Sequence, residues 1–147
     1  MKCVIQRVNR ASVSVDGNVC GKIQKGILVF LGICDEDNEQ DIKWIADKII
    51  GLRIFEDENG KMNFSLSDIC GELLIISQFT LFGNCKKGRR PDFTEAGKPE
   101  FAKIMYEKFI EYCKNALGKA ECGIFGADMK VDLENDGPVT IIIDSRE

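Results

Sequence analysis

A chain of 147 residues with 44% hydrophobic and 8% aromatic content has the size and apolar share of one compact domain, so residues 1–147 are expected to form a single domain. Its 24 acidic and 20 basic residues give a net charge of −4, which excludes the overall basic character of many nucleic-acid binders and leaves any RNA contact to a local patch. The absence of histidine excludes serine–histidine and cysteine–histidine nucleophile pairs, histidine general bases and imidazole-ligated zinc.

Met1, Lys2 and Cys3 lead directly into a strand-like alternation, with no signal-peptide core, and no stretch approaches the ~18 apolar residues of a membrane span. A soluble, cytoplasmic protein with no membrane partner is expected. Residues 2–8 and 11–15 alternate as strands, Asp16, Gly17 and Asn18 signal a turn, and residues 19–23 pair back as a hairpin. The apolar run GILVFLGI at 26–33 suits a strand buried on both faces. After the acidic loop 35–39, Ile42, Ile45, Ala46, Ile49 and Ile50 recur at helical spacing, with Gly51 standing where the helix would stop. Residues 52–55 read as a short strand, Glu58, Asn59 and Gly60 as a turn, and 72–77 (ELLIIS) as a central strand. An aperiodic polar stretch separates Phe82 from Pro99, where a second helix begins, with Phe101, Met105, Phe109, Tyr112 and Ala116 on one face as far as Gly118. Strands at 121–125 and 130–133, a turn at Asn135, Asp136, Gly137 and Pro138, and a last strand at 139–144 complete the chain. This order argues an α+β fold, a mainly antiparallel, barrel-like sheet covered by two amphipathic helices.

The seven cysteines are odd in number and none lie at C-x-x-C spacing, so core packing in a reducing cytosol accounts for them best. The carboxylates are scattered over loops and helix faces, and neither a metal nor a cofactor is expected.

Three segments have chemical potential. In SQFTL (77–81) an apolar strand ends abruptly in polar side chains, and unpaired backbone N–H groups at a strand end can hold developing negative charge. The plainer alternative is a strand terminus whose Ser77 and Thr80 satisfy local backbone groups. At Gly137 and Pro138, an X–Pro bond in a tight turn has an appreciable chance of being cis, against the alternative of an ordinary turn before an edge strand. Lys86, Lys87, Arg89 and Arg90, followed by Phe93, can bind phosphates and stack on a base, or form a solvated loop.

Together SQFTL, GRRPDF (88–93), FGADMKVDLENDGPVTI (125–141) and the opening MKCVIQRVNRASVSVDG resemble the bacterial and eukaryotic D-aminoacyl-tRNA deacylase family over the whole chain. Asp92, where the family often has serine, and Asp128 lie outside the two defining motifs. The resemblance implies a homodimeric ester hydrolase acting on the 3′ acceptor end of D-aminoacyl-tRNA, with glycyl-tRNA mischarged on tRNA-Ala as a further candidate substrate and no DNA partner. It places Ser77, Gln78, Phe79 and Thr80 at the reacting ester and Gly137 and Pro138 of the neighbouring subunit above the amino acid. Arg7 would position the Gly-Pro loop, and Phe79 and Met129 would contact the terminal adenosine; in an acidic chain the local patch of Lys86, Lys87, Arg89 and Arg90 is the expected tRNA anchor. Three rivals stand beside it: a fold relative that binds tRNA without hydrolysis, a free-standing editing domain for an L-amino acid, and a dimeric interaction module with redox cysteines.

Overall fold

The opening alternation builds one strand rather than two: in the computed structural model, which describes residues 1–147, β1 runs Lys2–Val15. One of its edges pairs antiparallel with β2 (Asn18–Ile23) and β3 (Gly26–Gly32). Along the other lies β8 (Lys130–Asp144), also antiparallel. Beyond β3 come β6 (Glu72–Ser77) and then β7 (Glu121–Cys122), both parallel to their neighbours. Helix α1 (Glu39–Gly51) connects β3 to β6 in the chain and α2 (Pro99–Leu117) connects β6 to β7. Parallel neighbours need such crossovers, so the sheet is mixed: antiparallel around β1 and parallel beneath the helices.

The alternation in β3 and β6 explains their unbroken apolar runs. Ile27, Val29, Leu31, Leu73 and Ile75 face the helices, meeting Ile42, Ile45 and Ile49 of α1 and Met105, Phe109 and Cys113 of α2. Leu28, Leu74 and Ile76 face the other way and are covered by Val8, Ala11, Val13 and Ile23, where β2 and the end of β1 fold over the sheet. Each such side chain contributes about 1.5–3 kcal/mol on burial. The β1–β8 pairing is irregular between Gln6 and Arg10, opposite Asn135–Pro138, where both strands bend from one layer into the other.

Several expectations change. Residues 52–55 are not a strand, because only Phe55–Glu56 (β4) pairs, with Met62–Phe64 (β5), in a separate ribbon. Gly51 is the last residue of α1, and extended Leu52 caps it. Ala116 is exposed, and Cys113 and Leu117 take its place against the core. The strand at 121–125 shrinks to two residues, with the Gly123 N–H making a last bond to the Ile75 carbonyl at 2.9 Å. The turn at Asn135–Pro138 is a bulge within one continuous strand rather than a break between two.

Packing accounts for only part of the cysteines. Cys3, Cys34 and Cys113 are buried, Cys122 is half-buried, and Cys20, Cys70 and Cys85 are exposed, all as free thiols. Burial pushes the Cys3 and Cys113 thiols up to about 12. Neither helix is long and apolar enough to cross a membrane. No group of three or more cysteine or acidic side chains is placed to hold a metal ion.

Candidate active site

At Ser77 the buried run of β6 gives way to polar, half-buried side chains, and the chain turns into a short 3-10 segment, Phe79–Phe82. The Gln78 N–H donates to the Leu31 carbonyl at 2.7 Å, which fixes where the turn starts, and the Leu81 N–H donates back to the Gln78 carbonyl at 3.3 Å. Phe79 and Thr80 head the turn, where a helical segment leaves its first N–H groups without partners inside it. No turn or loop carbonyl and no side chain accepts from either. Both residues are exposed. The Gln78 side-chain amide donates to the Thr80 hydroxyl oxygen. An amide is not a base, and Thr80 has no proton acceptor of the kind a nucleophilic hydroxyl needs.

The exposed Phe79 ring meets the Phe93 ring edge to face, with centroids 5.2 Å apart and planes at 69°. Phe93 stands at the foot of a hairpin closed by two backbone bonds, Asn84 N–H to Asp92 carbonyl at 2.7 Å and Asp92 N–H to Asn84 carbonyl at 3.0 Å. Lys86, Lys87, Arg89 and Arg90 occupy its tip, all exposed and none paired with a carboxylate. Asp92 is tied up locally, accepting from the Thr94 N–H at 2.9 Å. The basic cluster and the SQFTL turn are therefore joined through Phe93, a contact that the sequence pattern did not reveal.

The second motif is built on a buried cation. Arg7 shares the inward alternation of Cys3 and Ile5, is 4% exposed, and donates to the Ile54 carbonyl at 2.6 Å and the Asp136 carbonyl at 2.8 Å. The carboxylates of Asp136 and Glu56 lie 3.4 and 3.9 Å from it. Asn135 closes the bulge from the other side, its Oδ1 accepting from the Val139 N–H at 2.8 Å and its amide donating to the Val139 carbonyl at 3.1 Å. Between these supports the Gly137–Pro138 bond is cis, and both residues are exposed. Asn135 belonged to the turn signal, but nothing in the pattern marked it as a staple.

Met129, just before β8, is half-buried against the smaller core cluster. Its sulfur and Ile76 Cδ1 share the space over Gly123, which puts it beside the end of β6. Gly137 and Pro138 are not brought there. Ser77 faces Leu31, Leu31 faces Cys3 and Cys3 faces Ile143, with Pro138 five residues farther along β8. Three strand spacings and that run of strand separate the two motifs within one chain by roughly 20 Å.

A family model described as D-Tyr-tRNA(Tyr) deacylase matches residues 4–144. D-aminoacyl-tRNA deacylases of Thermosipho africanus and Clostridium tetani are each 58% identical to this chain, over all of it and 99% of the relative. Among solved structures, one named c-Myc DNA unwinding element binding protein superposes with a TM-score of 0.93 at 44% identity, covering 99% of both chains. Another, of a probable eukaryotic D-amino acid tRNA deacylase, has the same fold, with a TM-score of 0.86 at 17% identity over 97% of both chains.

Proposed function

The chain belongs to the D-Tyr-tRNA(Tyr) deacylase family and is a D-aminoacyl-tRNA deacylase, and from that premise we propose that the turn headed by Phe79 and Thr80 is its catalytic centre. The observation that carries this is a turn that opens on two N–H groups, those of exposed Phe79 and Thr80, which no turn or loop carbonyl and no side chain accepts, beside a threonine without a base. Water attacks the ester carbonyl, the ribose 2′-hydroxyl of the tRNA assists, and the Phe79 and Thr80 N–H groups hold the oxyanion. Collapse of the intermediate breaks the bond to the ribose 3′-oxygen, which takes up the proton that the attacking water gave up, and releases the free D-amino acid. Ser77 and Gln78 shape the turn, while Phe79 and Met129 receive the terminal adenosine. Residues 1–147 act as one deacylase domain, and its aminoacyl-tRNA substrate class fits a cytoplasmic setting.

Thr80→Ala is expected to keep activity within about tenfold of wild type, since it leaves the backbone donor in place. Thr80→Pro deletes that N–H and should cost about 100-fold or more, the worth of an oxyanion donor. Single-turnover hydrolysis of D-aminoacyl-tRNA tests both. An inactive Thr80→Ala that still folds and binds tRNA would restore the hydroxyl as nucleophile.

The pocket is completed by a second copy of the chain, whose Gly137 and Pro138 stand over the α-carbon and exclude an L side chain. Three features support this: the separation of the two motifs, the buried Gln6 Oε1 that has no partner in its own chain, and an apolar strip on the sheet face. Ile142, 70% exposed, lies in that strip beside Val4 and Phe30. Glycine has no side chain to clash, so glycyl-tRNA mischarged on tRNA-Ala would also be accepted.

Lys86, Lys87, Arg89 and Arg90 anchor the phosphates of the acceptor end. Replacing all four with alanine should weaken tRNA binding at low salt and flatten its salt dependence, whereas unchanged affinity and slope would return the hairpin to solvent. The name of the 44% identical relative raises DNA as a rival ligand for this hairpin. Duplex DNA that fails to compete with D-aminoacyl-tRNA hydrolysis would dismiss it.

A further inference from the structure

We propose that Phe93 is a positioning residue for deacylation, setting the aim of the Phe79 N–H by holding the Phe79 ring. The inference rests on the catalytic turn described above and goes beyond it. More than half of the Phe79 surface is open, and the contact that braces its ring is the edge-to-face one with Phe93. Phe93 is fixed in turn, because it follows the last bridged residue of the hairpin and its ring lies close over Gly83. A Cβ at Gly83 would stand 3.0 Å from Phe93 Cε1 and 3.0 Å from the Thr80 carbonyl, so a glycine there lets ring and turn close on each other. The Gly83 N–H donates to that same Thr80 carbonyl at 2.9 Å, closing the turn immediately beneath the ring.

This arrangement links two functions. The hairpin with the unpaired cations and the turn that opens on the Phe79 and Thr80 N–H groups share one aromatic joint, so phosphates seated on the first are registered against the second. Oxyanion donors act mainly in the transition state, and a poorly aimed donor lowers kcat while leaving binding largely intact. An aromatic pair corresponds to a factor of about five in an equilibrium or rate.

The test compares Phe93→Leu and Phe93→Tyr with wild type on D-aminoacyl-tRNA and on 3′-O-D-aminoacyl-adenosine, which lacks the phosphates. Phe93→Leu should lower kcat about fivefold on both substrates with KM within about twofold, and Phe93→Tyr should restore kcat to within about twofold. The ring-proton resonances of Phe79 should move in Phe93→Leu and stay near their wild-type positions in Phe93→Tyr. Phe93→Met replaces the leucine variant if that one fails to fold. An unchanged kcat, a defect confined to KM for tRNA, or a tyrosine variant as slow as the leucine one at equal melting temperature would overturn the proposal. Wild type active with Phe93→Leu unaffected removes this proposal alone, whereas wild type inert on D-aminoacyl-tRNA removes the catalytic assignment with it.

Discussion

Gly137→Val should abolish D-aminoacyl-tRNA hydrolysis to within measurement, a loss of about 100-fold or more, while leaving the protein folded. At φ 149° this residue occupies backbone space that L side chains rarely adopt, and a Cβ there would meet the Val139 nitrogen at 2.7 Å and its Cγ2 at 2.8 Å. Val139 cannot give way, because it is a core residue 9% exposed and held through its N–H by Asn135. Asp136 is held on the other side by Arg7. The displacement therefore falls on Gly137 and Pro138 themselves, the residues proposed to stand over the α-carbon, and a shift of about 1 Å at such a place costs on the order of 100-fold. Mixing is the decisive measurement. Gly137→Val and Thr80→Pro homodimers are each inactive, but random exchange gives half heterodimers, each with one intact pocket of two, so about a quarter of wild-type activity should return. No recovery after exchange confirmed by mass would remove the cross-subunit pocket and leave the within-chain geometry standing.

Arg7→Lys should cost both stability and activity despite keeping the charge. The guanidinium serves two carbonyls in different directions, Ile54 from one terminal nitrogen and Asp136 from Nε. An ammonium on a flexible stem cannot reproduce that fork. One buried carbonyl loses a charge-assisted bond, a change worth about 1.5–3 kcal/mol. Urea unfolding at fixed protein concentration should show this as a lower midpoint with an unchanged slope. Hydrolysis should fall further than the unfolded fraction explains, because Arg7 also tethers Asp136, which adjoins the Gly137 and Pro138 proposed to stand over the substrate. A variant of wild-type activity and midpoint would show that the fork is dispensable.

The sequence made the elements legible where periodicity is local. The two helices, the hairpin after Val15 and the buried runs of β3 and β6 follow from spacing alone. Its limits lie where tertiary partners decide. Asn135, Asp136, Gly137 and Pro138 are all turn formers, and such residues announce an irregular backbone without saying whether the chain reverses. Here it continues, because β1, more than 120 residues earlier in the chain, pairs on both sides of the bulge. The strand expected at 121–125 was cut short too: only Glu121 and Cys122 pair with β6, opposite Leu74 and Ile75. At the site, Arg7 was singled out only by the family resemblance, and its carbonyl partners belong to distant segments. Phe93 carried no signal beyond following a basic cluster, and its role emerges only when the hairpin closes between Asn84 and Asp92.

A site whose working donors belong to the main chain is hard to find by removing side chains. With the turn as the proposed centre, truncating Gln78 or Thr80 leaves its peptide groups in place, so an alanine survey of this protein would outline the scaffolding around Arg7, Asn135 and Phe93 and leave a blank there. The same property shelters the chemistry from drift: most substitutions in the turn keep the N–H groups and change only the walls around them. Proline and N-methylated or ester-linked backbone analogues, which alter the peptide unit itself, are the probes suited to such a centre.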